Sequence, residues 1–338
     1  MPCLWAAQVP TKDGSQLVGA GAIAGAHTDK GLRRCVRALL PAAVLPPSTG
    51  QLAFQVVGEL GGGAGSASSY GASRLLLHRR TGDLVASRWI EYNKGVVLSR
   101  SDEREIINHR RLGHPHVLGF REVYLADARP DPNPDAADPG TGADSHLVIV
   151  TEHASGGTLG DAVAASGRLG EAEARRLFRQ LVDGLAHCHS RGVVHRALSV
   201  DTLLLTGSAH KPVLKIAGFG MSKSAIEESM PKTRVPTAAV YTPPELLAAG
   251  YGGRDPYDGP ASDAWSAGVC LFYMLAGQLP FVKDAGALTR RDLACIAGAR
   301  YTLPPGVHLS DDCRNLLARL LVADPKQRLR VSDMQRHP

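Results

Sequence analysis

Residues 195–224 read HRALSVDTLLLTGSAHKPVLKIAGFGMSKS, a stretch bounded by His195-Arg196-Ala197-Leu198 at one end and holding Gly218-Phe219-Gly220 near the other. Just upstream, Ala174, Leu177, Phe178, Leu181, Val182 and Leu185 recur at three- and four-residue spacing, which predicts one apolar face of a long helix. Downstream, Asp263–Leu275 and Asp311–Leu321 predict two further helices. Toward the N-terminus the pattern is one of strands. Val56-Val57 and Leu75-Leu76-Leu77 flank a glycine-rich turn, Leu84–Ile90 follows, and HLVIVTE (146–152) reads as a buried strand. Ser101–Leu112 reads as a polar–apolar helix among them. Strands come first and helices after, so the fold class expected is α+β, with a small sheet-rich lobe and a larger helical lobe.

The flanks differ in texture. Residues 1–50 are rich in Ala, Gly, Pro and Leu without sustained periodicity and are expected to be a disordered extension. Within them GLRRCVRALLPAAVL (31–45) is basic and amphipathic, which leaves a plastid-targeting reading open, although Asp13 and Asp29 count against it. Residues 126–145 (ADARPDPNPDAADPGTGADS) cannot pack a core and are expected to be a flexible insertion. The globular domain is therefore placed at 51–338, split into lobes at 51–152 and 153–338.

Composition excludes several classes. Hydrophobic residues at 44% and charged residues at 21% fit an ordinary globular chain. The net charge of +6 comes from 38 basic and 32 acidic residues that are interspersed, which argues against a nucleic-acid stripe. Cys3, Cys35, Cys188, Cys270, Cys295 and Cys313 form no C-x-x-C pair, so neither a zinc site nor a redox dithiol is signalled. They read as apolar fillers in a reducing compartment, and a cytoplasmic or nuclear location is expected. The longest apolar run, Ala267–Gly277, is too short for a bilayer, which needs about 20 residues.

From Gln51 onward the ordered landmarks resemble the protein-kinase signature set. They are Gly61-Gly62-Gly63 with Tyr70-Gly71, Val85-Ala86-Ser87-Arg88, Arg104-Glu105-Ile106-Ile107, His195-Arg196-Ala197-Leu198, Gly218-Phe219-Gly220, Pro243-Pro244-Glu245, Asp263-Ala264-Trp265-Ser266-Ala267-Gly268, and Ala323-Asp324-Pro325 with Arg328. The segments REIINHRRLGHPHV (104–117), EHASGGTL (152–159), HKPVLKIAGFGMSKS (210–224) and LLVADPKQRL (320–329) are most similar to the plant stress- and abscisic-acid-responsive kinases of the sucrose-non-fermenting-related group. The resemblance spans 51–338 and implies the bilobal protein-kinase fold.

Matched position by position, the resemblance implies a scaffold without its reactive groups. Phosphoryl transfer needs a held triphosphate, magnesium, and a carboxylate beside the attacking hydroxyl. Ala197 stands where the catalytic aspartate belongs, and a methyl group cannot supply general-base help typically worth ~10²–10⁴-fold. Ser199 replaces a phosphate-steadying lysine, Thr202 a magnesium asparagine, and Gly218 the magnesium aspartate; magnesium demands oxygen ligands. Asp201 is one position off. Arg88 replaces the strand lysine; it keeps the charge and can pair with Glu105, but its planar fork is no point charge for phosphates. The loop from Gly61 and Gly63 to Gly71 is stretched by intervening Ala, Gly and Ser, so its N–H groups are poorly aimed at a triphosphate. A vestigial nucleotide pocket would comprise Gly61, Gly63, Gly71, Ala86, Arg88, Glu105 and Leu204.

What the resemblance retains is structural. Asp263 matches the buried aspartate that clamps the catalytic loop, Glu245 and Arg328 match an ion pair that fastens the activation segment, and His109, His195 and Phe219 match a packing column joining the lobes. Arg196 matches a residue that grips a phosphorylated activation segment, with Ser222, Ser224, Ser229, Thr233 and Thr237 as candidate acceptors, a reading balanced against plain exposed loop hydroxyls. The expectation is a catalytically dead kinase-fold protein that acts by binding an active kinase or a kinase substrate. ATP would bind at most weakly and without magnesium, and no other cofactor, nucleic acid or membrane is expected; the residues name no oligomeric state. The alternatives are an atypical active serine/threonine kinase and a non-functional product.

Overall fold

The run HLVIVTE shows no alternation because both of its faces are covered. It forms most of β5 (Ser145–Glu152), an inner strand of a five-stranded sheet of order β1-β2-β3-β5-β4 whose neighbours all run antiparallel. Val148 and Val150 join Phe54, Leu76, Val85, Trp89 and Tyr124 in one apolar cluster, while Leu147 and Ile149 join Ile106 and Val123 in another. A strand buried on both sides reads as a continuous apolar run. The other strands are β1 (Phe54–Leu60), β2 (Ser73–His78), β3 (Leu84–Tyr92) and β4 (Phe120–Ala126).

This computed structural model describes residues 53–60, 73–92, 100–126, 145–208, 210–224, 239–248, 258–282 and 288–338. The readings made of residues 1–50, of Gly61, Gly63 and Gly71, and of Ser229, Thr233 and Thr237 lie outside that set. So does the proposed insertion, apart from Ala126 and Ser145, which are not part of a loop but end β4 and begin β5.

The described residues divide into two compact units, those from 53 to 106 with those from 120 to 153, and those from 107 to 119 with those from 154 to 338. One division falls after His153, and Ile107–Gly119 belongs with the second unit. The cause is local: Leu118 N–H donates to the Ile216 carbonyl at 2.8 Å, Ile216 N–H donates to the His116 carbonyl at 2.9 Å, and Leu112 and Val117 pack in the second unit's core.

The expected helix over 101–112 is shorter and less regular than its pattern suggests. It is α-helical only as α1 (Arg100–Arg104), then widens to a π-helical turn at Glu105–His109. Paired β-branched residues, Ile106 and Ile107, crowd a regular turn here, and such widenings frequently mark functional sites.

The second unit is built on α3 (Glu171–Ser190) and α5 (Gly259–Ala276). On α3 the residues at three- and four-residue spacing are the buried ones, including Ala174, Leu177, Phe178, Leu181, Val182, Leu185 and Cys188. The same helix carries Gly184, where a Cβ would lie 2.7 Å from Ile216 Cδ1 and 2.8 Å from the His116 carbonyl oxygen, so only glycine lets the 107–119 segment close in. Helix α5 is buried nearly all round, with Trp265 and Phe272 fully covered, as befits a central core helix. It opens on an Asp258 cap and closes on Gly277 in the left-handed region.

Between them lie α2 (Leu159–Ser166), entered through a Thr158–Asp161 capping box, the hairpin β7 (Leu203–Ser208) and β8 (Lys211–Ile216), and the short pair β6 (Val193–Val194) and β9 (Lys223–Ser224). The unit continues through α4 (Pro244–Ala248), α6 (Arg290–Ala297), α7 (Asp311–Leu320) and α8 (Val331–Met334). Cys188 and Cys270 are buried thiols, and burial pushes Cys188 up to about 12, so both behave as apolar filler; Cys295 and Cys313 are half-buried. Among the described residues, no helix is long and apolar enough to cross a membrane.

Candidate functional site

In the second unit, residues 195–202 are shaped by one carboxylate. Asp263 on α5 has no exposure, and its Oδ2 accepts the His195 N–H at 2.9 Å while its Oδ1 accepts the Arg196 N–H at 2.8 Å. His189 on α3 places Nε2 2.7 Å from Oδ2. Burial alone would raise the Asp263 carboxyl, but the His189 hydrogen bond, the His189 and His195 rings and the Arg196 N–H together hold it below the usual range. The clamp also explains a local strain: Arg196 sits at φ 68°, a left-handed conformation that a non-glycine residue adopts only when its surroundings impose it.

His195 is fully buried and bonds the Ala217 carbonyl through Nε2 at 2.7 Å, while the Ala197 N–H reaches its Nδ1 at 3.4 Å. These partners assign a neutral ring with its proton on Nε2. Burial lowers its pKa, against the pull of Asp263 and the Ala217 carbonyl. Phe219 packs against His195 edge-on at 5.0 Å and stacks on His109 at 4.9 Å, so these rings form one packed column inside the second unit.

The positions at which chemistry is expected hold no exposed anionic oxygen. Ala197 contributes only its backbone. Thr202 and Ser199 are buried and close the loop on each other: Thr202 Oγ1 donates to the Ser199 carbonyl at 3.0 Å and accepts the Ser199 N–H at 3.0 Å, while the Thr202 N–H reaches Ser199 Oγ at 3.3 Å. The Thr202 hydroxyl is thus committed to the loop's own backbone. Gly218 lies at φ 82°, ψ 46° and has no side chain to offer. Asp201 turns toward α2, where a Cβ on Gly160 would meet its Oδ1 at 3.1 Å; burial and neighbouring Asp161 raise its pKa. Leu204 is half-buried on β7 and bridges to Thr158.

Further along, Arg328 Nη1 and Nη2 donate to the two Glu245 oxygens, each at 2.9 Å, and the guanidinium carbon lies over the Trp265 ring, 5.1 Å from its centroid. Ser222 Oγ donates to the Phe219 carbonyl at 2.6 Å and accepts from Asn108 Nδ2 at 2.9 Å, so this hydroxyl, a candidate phosphate acceptor, is buried and engaged.

The first unit carries the remaining charged group. On β3, Ala86 and Arg88 share the face opposite Val85, Ser87 and Trp89. The Arg88 guanidinium lies 2.9 Å from Glu105 Oε2 and 2.5 Å from Asp102 Oδ1, with all three side chains less than a fifth exposed. Burial raises the Glu105 pKa, Arg88 lowers it and Asp102 adds to the rise. The sequence reading pairs Arg88 with Glu105 and does not single out Asp102; its i, i+3 spacing from Glu105 is the signal that reveals it. It likewise passes over His189, whose role depends on α3 crossing α5 and leaves no trace in local pattern.

Three histidines set an acid limit on stability. His195 is lowered as described, and His114 and His187, stacked at 4.9 Å, are each lowered first by burial and then by neighbouring positive charge. A histidine held below its unfolded value of about 6.5 favours the neutral form on folding. Its stabilisation is complete above that value and is lost as pH falls toward the folded pKa. Urea midpoints are therefore expected to drop between pH 7 and 5.5, with His195 alone contributing up to about 1.4 kcal/mol per pH unit. A flat profile across that window would contradict the assignment.

Comparison with known proteins agrees with this arrangement. The protein kinase domain family matches residues 54–338. The serine/threonine-protein kinase SAPK9 of Oryza sativa subsp. japonica is 38% identical over 286 residues, covering 84% of this chain and 71% of its own. Serine/threonine-protein kinase SRK2H of Arabidopsis thaliana is 40% identical over the same length, with 84% and 71% covered. Among solved structures, the Rad53 kinase domain and SCD2 in complex with AMPPNP superposes with a TM-score of 0.62 at 23% identity, covering 85% of this chain and 90% of that one, a likeness of fold. With its sheet-rich first unit, its helical second unit and the ordered landmarks from Arg88 to Arg328, this chain belongs to the protein kinase domain family, close to the plant serine/threonine kinases of the SAPK and SRK2 groups.

Proposed function

We propose that this chain is a pseudokinase that works by binding protein, either an active kinase or a kinase's substrate, and does not transfer phosphate itself. The observation that carries the reading is the pair of positions meant for magnesium. Gly218 has no side-chain oxygen and the Thr202 hydroxyl is bonded within its own loop, so the donor set does not fit a hard divalent cation. Ala197 adds a methyl group where the acceptor hydroxyl needs a carboxylate. ATP, if held at all, would be held weakly and without the metal. The interspersed surface charge supports neither a nucleic-acid nor a membrane role, and the free thiols suit a cytoplasmic or nuclear location.

An active serine/threonine kinase is the second reading. It is favoured by 38–40% identity to proteins named as such kinases, and by the cation kept at Arg88 beside Glu105. The two part in a single pair of experiments. Purified wild-type chain is expected to incorporate no label from radioactive ATP, whereas an active enzyme would incorporate label that disappears on Arg88→Ala. In thermal-shift titration, magnesium-ATP is expected to leave the wild type unmoved and to stabilise the Ala197→Asp/Thr202→Asn/Gly218→Asp variant; ligand at a hundredfold its Kd contributes about 2.7 kcal/mol. Each protein is compared with its own nucleotide-free form, because an aspartate at φ 82° carries an intrinsic cost of roughly 1–2 kcal/mol. Magnesium-dependent stabilisation or steady labelling of the wild type would overturn the proposal.

A further inference from the structure

One guanidinium in the first unit serves two buried carboxylates. Arg88 projects from β3, Asp102 lies in the first turn of the short α1, and Glu105 opens the π-helical turn that follows. The three-residue spacing sets both acids on one face, and both reach the same Nη2 nitrogen, at 2.5 Å for Asp102 and 2.9 Å for Glu105. An arginine paired with one glutamate still has a fork side and residual charge with which to meet an anion. With a second carboxylate closer than the first, an approaching phosphate meets two negative groups around a cation that is already engaged. Like charges in a poorly solvated site repel far more strongly than in water.

We propose that Asp102 is a positioning residue that excludes phosphate: by holding Arg88 beside Glu105 it denies the guanidinium to the phosphate groups of a nucleotide. This rests on the reading of the chain as a kinase-fold protein without phosphotransfer, and adds to it a cause independent of the missing magnesium ligands. Within this cluster Asp102, not Arg88, is then the residue that lowers nucleotide affinity further.

The test is a fluorescence titration of the full chain with N-methylanthraniloyl-ATP in the absence of divalent cations. Asp102→Asn, close to isosteric, is expected to bind at least about tenfold more tightly than the wild type, and Asp102→Ser to do the same. Asp102→Glu, which keeps the charge, is expected to remain at the wild-type level. The gain must also depend on the guanidinium, so Arg88→Ala/Asp102→Asn is expected to bind no better than Arg88→Ala. A purely structural role for Asp102 would show no such dependence. Unchanged or weaker binding by both Asp102→Asn and Asp102→Ser, or a gain that persists without Arg88, would overturn the inference. Labelling assays on the wild type bear on the proposed function alone, since none of these variants restores Ala197 or Gly218.

Discussion

Replacing Arg328 with alanine is expected to cost about 3–5 kcal/mol of stability, the loss typical when one partner of a buried ion pair is removed. The Arg328 side chain has no exposure, and it does more than meet Glu245 in a two-pronged bond. Its Nη1 also donates to the Ala261 carbonyl at 2.7 Å, and its Nε and Nη2 donate to the Val322 carbonyl at 3.1 and 3.0 Å. Alanine would strand the Glu245 carboxylate, only 18% exposed, and leave backbone acceptors from two segments without their donor. Lysine is not expected to rescue the protein, because an ammonium cannot reproduce the planar fork that meets Glu245 and both carbonyls. Arg328→Met combined with Glu245→Leu should recover part of the loss, since a packed apolar pair does not carry an uncompensated charge. Urea unfolding followed by tryptophan fluorescence measures all three. An Arg328→Ala midpoint within about 1 kcal/mol of the wild type would show that the contact is peripheral.

The contrast between that contact and the residues of the 195–218 stretch explains what is and is not legible in the sequence. Elements with an unbroken pattern are legible. The apolar run 146–152 becomes a doubly covered strand, and the 174–185 spacing becomes the buried face of α3, because burial on a regular element writes its period into the chain. Strand β4 is harder, since its place at the sheet edge is set by pairing with β5, distant in sequence, rather than by alternation within the strand. The candidate site divides in the same way. What Ala197, Thr202 and Gly218 cannot do follows from side-chain identity alone. That the Thr202 hydroxyl is bonded inside its own loop, that Asp102 shares Arg88, and that His189 completes the Asp263 clamp all depend on chain crossings. The π-helical turn at Glu105 is of the same kind, a deviation of the backbone within a segment whose pattern still reads as helix.

Asp263 carries the second large effect, and its variants separate shape from chemistry. Asp263→Ala removes the acceptor of two backbone N–H groups and of His189 at once, each buried group left unsatisfied costing about 1–3 kcal/mol, so a total near 3–5 kcal/mol is expected. Asp263→Asn keeps one carbonyl oxygen but turns an amide donor toward donors, so it should lie between the wild type and alanine. The pH dependence gives an independent reading. Asp263 is held below its ordinary value, so its contribution is present above about pH 4 and is lost as pH falls through the folded value. Asp263→Asn should therefore lose stability at neutral pH while flattening the acid limb below pH 4. Equal losses for the alanine and asparagine variants, or an acid limb unchanged by asparagine, would refute the clamp. Because no residue with a metal- or hydroxyl-directed side chain takes part, these losses should arise without any nucleotide present. The same carboxylate that keeps Arg196 in its left-handed conformation would then be maintaining the shape of the 195–202 loop in a chain proposed to have no catalysis to perform.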